Sequence, residues 1–193
     1  MKRFFGHAAL VVATLAVGLA RAEEVQVCFN YGCKDAAVVR FAPADLGEVK
    51  SLFVDVASPQ AEREAIARAM GALYFHAALQ TPTWRDRGGN VDDDGAEGRM
   101  DCIDHSLNTT AYLALLERNG WLRFHTVADR VTRGRFLAVH WGAQLSETAE
   151  AAQWVVDTWF LDPGNPATIY PLDEWLEGAR PPGTELFRFW ARF

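Results

Sequence analysis

The sequence predicts an α+β fold, and two observations predict it. Apolar residues recur at helical spacing through the first part of the chain, at Ile66, Met70, Leu73, Tyr74 and Ala77 and again at Leu107, Ala111, Ala114 and Leu115. After Asn119-Gly120 the pattern changes to strand-like runs joined by polar turns. Helices followed by a strand meander lack the alternation that builds a parallel sheet.

The elements follow in order. Val25–Phe41 reads as two short strands about a turn flanked by Cys28 and Cys33. Ala44–Phe53 is a short helix. Ser58-Pro59 opens a stronger one, with Ser as N-cap and Pro at the first helical position. From Gln80 to Met100 Pro, Gly, Asn and Asp dominate, which predicts a long loop; such loops in compact domains are often functional. Cys102–Arg118 is the next helix, ended by Asn119-Gly120. Trp121–Val127, Arg135–Leu145 and Gln153–Leu161 are predicted strands, Asp162–Pro166 a turn, and Pro171–Leu176 one helical turn before an aromatic tail that ends at Phe193.

Residues 1–22 carry a different signal. Lys2 and Arg3 precede an apolar run to Leu19, and Ala20-Arg21-Ala22 offers small residues for cleavage, the pattern of a secretory signal peptide. The run falls short of the roughly 20 residues that span a bilayer, so stable membrane insertion is not expected after cleavage. Cleavage after Ala22 leaves residues 23–193 as a single domain in the periplasm or secreted, and takes the net charge from −6 to −9 by removing Lys2, Arg3 and Arg21. An acidic chain without a basic stripe argues against nucleic acid as a partner. In an oxidising compartment a close pair such as Cys28 and Cys33 is expected to form a disulfide. Cys102 is then the odd thiol: either a small buried hydrophobe or a nucleophile.

Its position favours the nucleophile. Asp101 is a good N-cap, which puts Cys102 at the helix start, where free amides and the dipole stabilise a thiolate and can donate to an oxyanion. A base must come from His76, His105, His125 or His140. His140 and Asp157 lie in consecutive strand-like runs, and the midpoint between them, 148.5, falls in the polar turn Ser146–Ala151. A symmetric hairpin pairs the two directly on one face, so that Asp157 orients the imidazole. Pairing with His140 and the helix start together predict a Cys102 pKa below about 8.5. Trp84, in the preceding loop, is a candidate oxyanion donor beside the Cys102 amide.

Gly98-Arg-Met-Asp-Cys102-Ile-Asp-His-Ser106, Val139-His140-Trp141 and Trp154-Val-Val-Asp157 resemble the transglutaminase-like superfamily, most closely its bacterial cysteine proteinases. The resemblance spans about Met100–Leu161. It implies a Cys-bearing helix packed on an antiparallel sheet, a papain-like or transglutaminase-like core, with a Cys102-His140-Asp157 triad. It also implies a cysteine peptidase or acyl transferase acting on peptide or glutamine amide bonds of a protein or peptide substrate. The chemistry requires no cofactor.

The loop before Cys102 has its own pattern. Asn90-x-Asp92-x-Asp94-Gly95, with Asp101 at the twelfth position, resembles an EF-hand loop. Some relatives in the superfamily are calcium-regulated through acids beside the cysteine, which Asp101 and Asp104 match. Asn90, Asp92, Asp94, Asp101 and Asp104 are therefore candidate calcium ligands; a solvated acidic turn with helix capping accounts for the same residues. Cys102-x-x-His105 has a spacing seen in zinc sites, but no second pair supports it. The competing function is a non-enzymatic, calcium-stabilised binding domain on the same fold.

Overall fold

The computed structural model describes residues 21–135 and 138–184, so residues 1–20 of the segment expected to be a signal peptide, and all of the aromatic tail after Thr184, lie outside the described residues. The chain enters as a two-stranded ribbon. β1 (Glu23–Phe29) pairs antiparallel with β2 (Asp35–Phe41), and a disulfide joins Cys28 to Cys33 across the connecting turn. Each outer rim of the ribbon is closed by one side-chain amide standing in for a strand residue. Asn108 accepts from the Cys28 amide at 2.7 Å and donates to its carbonyl at 2.8 Å. Gln80 does the same for Arg40, at 3.0 and 3.1 Å.

Helix α1 (Pro43–Ser51) follows, then α2 (Pro59–Ala78), whose Ser58 cap accepts from the Ala61 amide at 3.1 Å. The predicted loop contains a single short 3-10 turn, Pro82–Arg85. Helix α3 (Cys102–Arg118) is buried on most sides, between the ribbon and the second sheet. That sheet is antiparallel, in the order β3 (His125–Arg135), β4 (Ala138–Glu147), β5 (Gln153–Asp157) and β6 (Thr168–Pro171). Helix α4 (Leu172–Leu176) leaves β6. Four α-helices and two antiparallel sheets among the described residues make the fold α+β. No helix among the described residues is long and apolar enough to cross a membrane.

Strand boundaries differ from expectation: the strand predicted over Arg135–Leu145 is Ala138–Glu147, and Arg135 belongs to β3. The other shifts have local reasons. The strand predicted at Trp121 starts at His125, because the Arg123 and Phe124 amides donate to the fully buried Glu62 carboxylate, at 2.6 and 2.9 Å, and not to a ladder. It then runs on through polar residues to Arg135. β3 is an edge strand, where charged side chains are tolerated on the open side. β5 stops at Asp157 and not at Leu161. Beyond it the chain pairs with the long loop: the Gly89 amide donates to the Trp159 carbonyl at 2.7 Å and the Gly88 amide to Asp162 at 2.8 Å. Gly88 permits this approach, since a Cβ there would lie 2.5 Å from the Leu161 carbonyl carbon. β6 had no sequence counterpart.

Candidate active site

The start of α3 is built from both sides. Asp101 accepts from the Asp104 amide at 2.9 Å, and Asp104 accepts from the Asp101 amide at 3.3 Å, a reciprocal capping box. Their remaining oxygens face the disulfide turn. Asn30, Tyr31, Gly32 and Cys33 all have positive φ, between 57° and 68°. Consecutive residues of this kind turn their amides to one side and form an anion-holding concavity. Here the Gly32 amide donates to Asp101 at 3.1 Å and the Cys33 amide to Asp104 at 2.5 Å. Three of the four are not glycine, so the disulfide and the two acids offset an unfavourable backbone. Burial and the neighbouring Asp101 charge push the Asp104 carboxyl up to about 6.

Cys102 is half-buried at the first helical position and is the one free thiol among the described residues. Its Sγ meets the main chain of β4 where β5 no longer pairs with it, the pairing of those strands starting at Ala143. The thiol donates to the Val139 carbonyl at 3.8 Å, and the Trp141 amide donates to the sulfur. Sγ thus occupies the sheet edge on either side of His140. Burial pushes the thiol up to about 12; the Trp141 amide works against the rise, while the Asp101 and Asp157 charges add to it. This corrects the expected depression. Burial, with the charge of the capping Asp101 added to it, outweighs the helix dipole that was to stabilise a thiolate.

His140 and Asp157 meet on one face, though not by the predicted register. Ala143 pairs with Val156 and Ser146 with Gln153, two positions out from the symmetric hairpin. A shift of two preserves the face and makes the pair diagonal neighbours, still within reach of long side chains. His140 Nε2 lies 2.7 Å from Asp157 Oδ2. The same oxygen accepts from Trp175 Nε1 at 2.9 Å, and Oδ1 accepts from the Trp159 amide at 3.2 Å. Burial alone would raise the Asp157 carboxyl; the His140 ring, its hydrogen bond, the Trp175 donor and the Arg133 charge more than offset this and hold it below its ordinary value. The imidazole sits among Trp159, Phe160 and Trp175, with centroids 5.1, 5.3 and 5.6 Å away. Arg133 lies 4.5 Å over the Trp175 ring. With Nε2 on Asp157, Nδ1 is the nitrogen left to serve the thiol, which in this arrangement is bonded to Val139 instead.

Trp175 was missed because nothing in its sequence neighbourhood marks it. Gly142 makes room for it: a Cβ there would stand 3.1 Å from the indole and 2.4 Å from Val155.

The candidate calcium ligands are not brought together. Asp92 and Asp94 are exposed, while Asp93 between them turns inward to accept from Tyr31 at 2.6 Å and from Asn90 at 2.7 Å, and to pair with Arg99 at 2.8 Å. Asp101 and Asp104 are committed to the disulfide turn. Asn90 Oδ1 is buried without a hydrogen-bond partner among the described residues, but the four acids do not join it. The one grouping of acid, His or Cys ligand atoms among the described residues is Cys28, Cys33 and Asp104, of which the two cysteines are in the disulfide.

The other histidines serve elsewhere. His105 bridges Asp86 and Thr158, each at 3.0 Å, in a buried network, so it does not join Cys102 in a zinc pair. His125 pairs with Glu62 at 2.8 Å, and His76 meets Glu48 at 3.2 Å. Trp84 is exposed beneath Arg85. The chain matches no protein-family model, no curated protein and no solved structure.

Proposed function

We propose that the protein is a cysteine peptidase or acyl transferase of transglutaminase-like kind, with Cys102 as nucleophile, His140 as base and Asp157 as the positioning acid. One observation carries the reading: His140, paired at 2.7 Å with the buried Asp157 of β5, stands on β4, whose main chain on either side of it meets the Cys102 sulfur. The raised thiol pKa defines the chemistry. Cys102 rests as a neutral thiol, so His140 Nδ1 must take its proton as Sγ leaves the Val139 carbonyl and attacks the substrate carbonyl. The same proton then passes to the leaving amine. A thioester remains, and water or a second amine resolves it. The Cys102 and Trp141 amides both point at the sulfur and are the donors nearest a developing oxyanion, which replaces Trp84 in that role. The disulfide supports an oxidising compartment, periplasmic or secreted.

A second reading has its own support. A thiol that completes a sheet edge at a pKa of about 12 also suits a structural cysteine in a non-enzymatic binding domain. Iodoacetamide labelling of the native protein separates the two. As an enzyme, Cys102 is alkylated at neutral pH, little at mildly acidic pH, and at least tenfold more slowly in His140→Ala, within the range general-base help supplies. Labelling only after denaturation, or a rate unchanged in His140→Ala, sinks the enzyme reading.

A further inference from the structure

The β3–β4 register slips between Ala128 and Val131, which places Asp129 and Arg130 together opposite a single residue of β4. This is a β-bulge, a device that re-aims side chains and is common beside active sites. It sends Arg130 towards α3. There one guanidinium nitrogen donates to Ser106 Oγ at 3.0 Å, and the guanidinium carbon lies 4.6 Å over the Trp141 ring. Both partners belong to the Cys102 neighbourhood. Ser106 is one turn along α3 from Cys102, on the same face, and Trp141 supplies the amide that meets Sγ. The Ser106 hydroxyl proton is committed to the Ile103 carbonyl at 3.0 Å, so it receives Arg130 purely as an acceptor. Among the described residues no carboxylate pairs with Arg130, whereas Arg63, Arg85, Arg99 and Arg118 each have one. A half-buried guanidinium, pinned by a neutral hydroxyl and an aromatic face, keeps most of its five donors for another group.

We propose that Arg130 is a specificity-determining residue of the Cys102 site, receiving a carboxylate that the acyl substrate carries close to the attacked carbonyl. The inference rests on the cysteine-enzyme reading above and deepens it by naming a substrate class: peptides with an acidic side chain or a free chain terminus near the reacting bond. Either source presents the same planar anion to the guanidinium.

The test compares two alkylating agents of nearly equal size, iodoacetate and iodoacetamide, on the full native chain, with free cysteine as the reference. The Cys102 iodoacetate-to-iodoacetamide rate ratio should exceed the reference by about fivefold, the scale of one partly solvated charge pair. Arg130→Gln should return the ratio to the reference. Arg130→Lys should keep part of it, which separates lost charge from lost folding. A wild-type ratio equal to the reference, or one unchanged in Arg130→Gln, overturns the proposal while leaving the enzyme reading standing. Labelling by neither reagent in the native state overturns both. Two peptides identify the source of the carboxylate, one with an internal Glu and an amidated end, the other neutral with a free C-terminus. Slowed iodoacetamide labelling by either, dependent on Arg130, supports the proposal and names the source; slowing by neither overturns it.

Discussion

Replacing Trp175 with Phe isolates one hydrogen bond at the centre of the candidate site. Phe keeps a ring against His140 and beneath Arg133 but removes the Nε1 donor that meets Asp157 at 2.9 Å. A hydrogen bond to a buried charge contributes about 1.5–3 kcal/mol. The smaller ring adds about 1 kcal/mol of packing loss that does not depend on pH. The sum is about 3 kcal/mol near neutral pH, or roughly 6–12 °C in Tm for a chain of this size. The pH dependence distinguishes the two parts. The Asp157 carboxyl is held below its ordinary value in the fold, so its contribution is complete above the ordinary aspartate range and is lost as pH falls through the folded value. Without the indole donor that depression shrinks. The deficit of Trp175→Phe should therefore be largest near neutrality and narrow towards the packing loss alone as the medium falls from about pH 5 to about pH 2. Urea denaturation across that range measures it. An equal deficit at both ends would show that Trp175 acts by bulk alone and that its bond to Asp157 contributes nothing.

Two further outcomes are expected. Glu62→Gln should destabilise the fold by about 3 kcal/mol in the same denaturation assay, because the buried carboxylate that gathers the Arg123 and Phe124 amides and the His125 ring becomes an amide; an unchanged midpoint would refute the part assigned to Glu62 in starting β3. Millimolar calcium should move the melting temperature by less than about 1 °C, since a ligand stabilises only through a site formed in the fold and the loop acids do not form one. A rise of several degrees in calorimetry would show that Asp92 and Asp94 swing inward to join Asn90.

What could be read from the sequence depended on whether the signal was local. Helices α2 and α3 announced themselves through Ser58-Pro59 and Asp101, because caps act within a few residues. The shared face of His140 and Asp157 was legible although the register was not, since strand parity survives a shift of two. The elements that were missed depend on distant partners. β3 continues through Asp129, Arg130 and Arg133 because an edge strand needs no alternating apolar face. Trp175 reaches Asp157 only because Gly142 leaves room. The rise of the Cys102 thiol follows from its burial against β4, beyond the point where β5 turns away at Asp157 to meet Gly88 and Gly89. Asp101, correctly read as a cap, carried the opposite electrostatic consequence from the one drawn.

The disulfide turn also carries a long-range dependence. Cys28 and Cys33 are separated by only five positions, so their closure is a local event with a small loop entropy. The acids that receive the turn's amides lie 69 and 71 residues further along the chain from Gly32 and Cys33. The left-handed run from Asn30 to Cys33 therefore gains its full set of partners only when the first turn of the Cys102 helix docks against it. The two are set together, so that a reductant acting on this short clasp reaches the geometry around Cys102 as well.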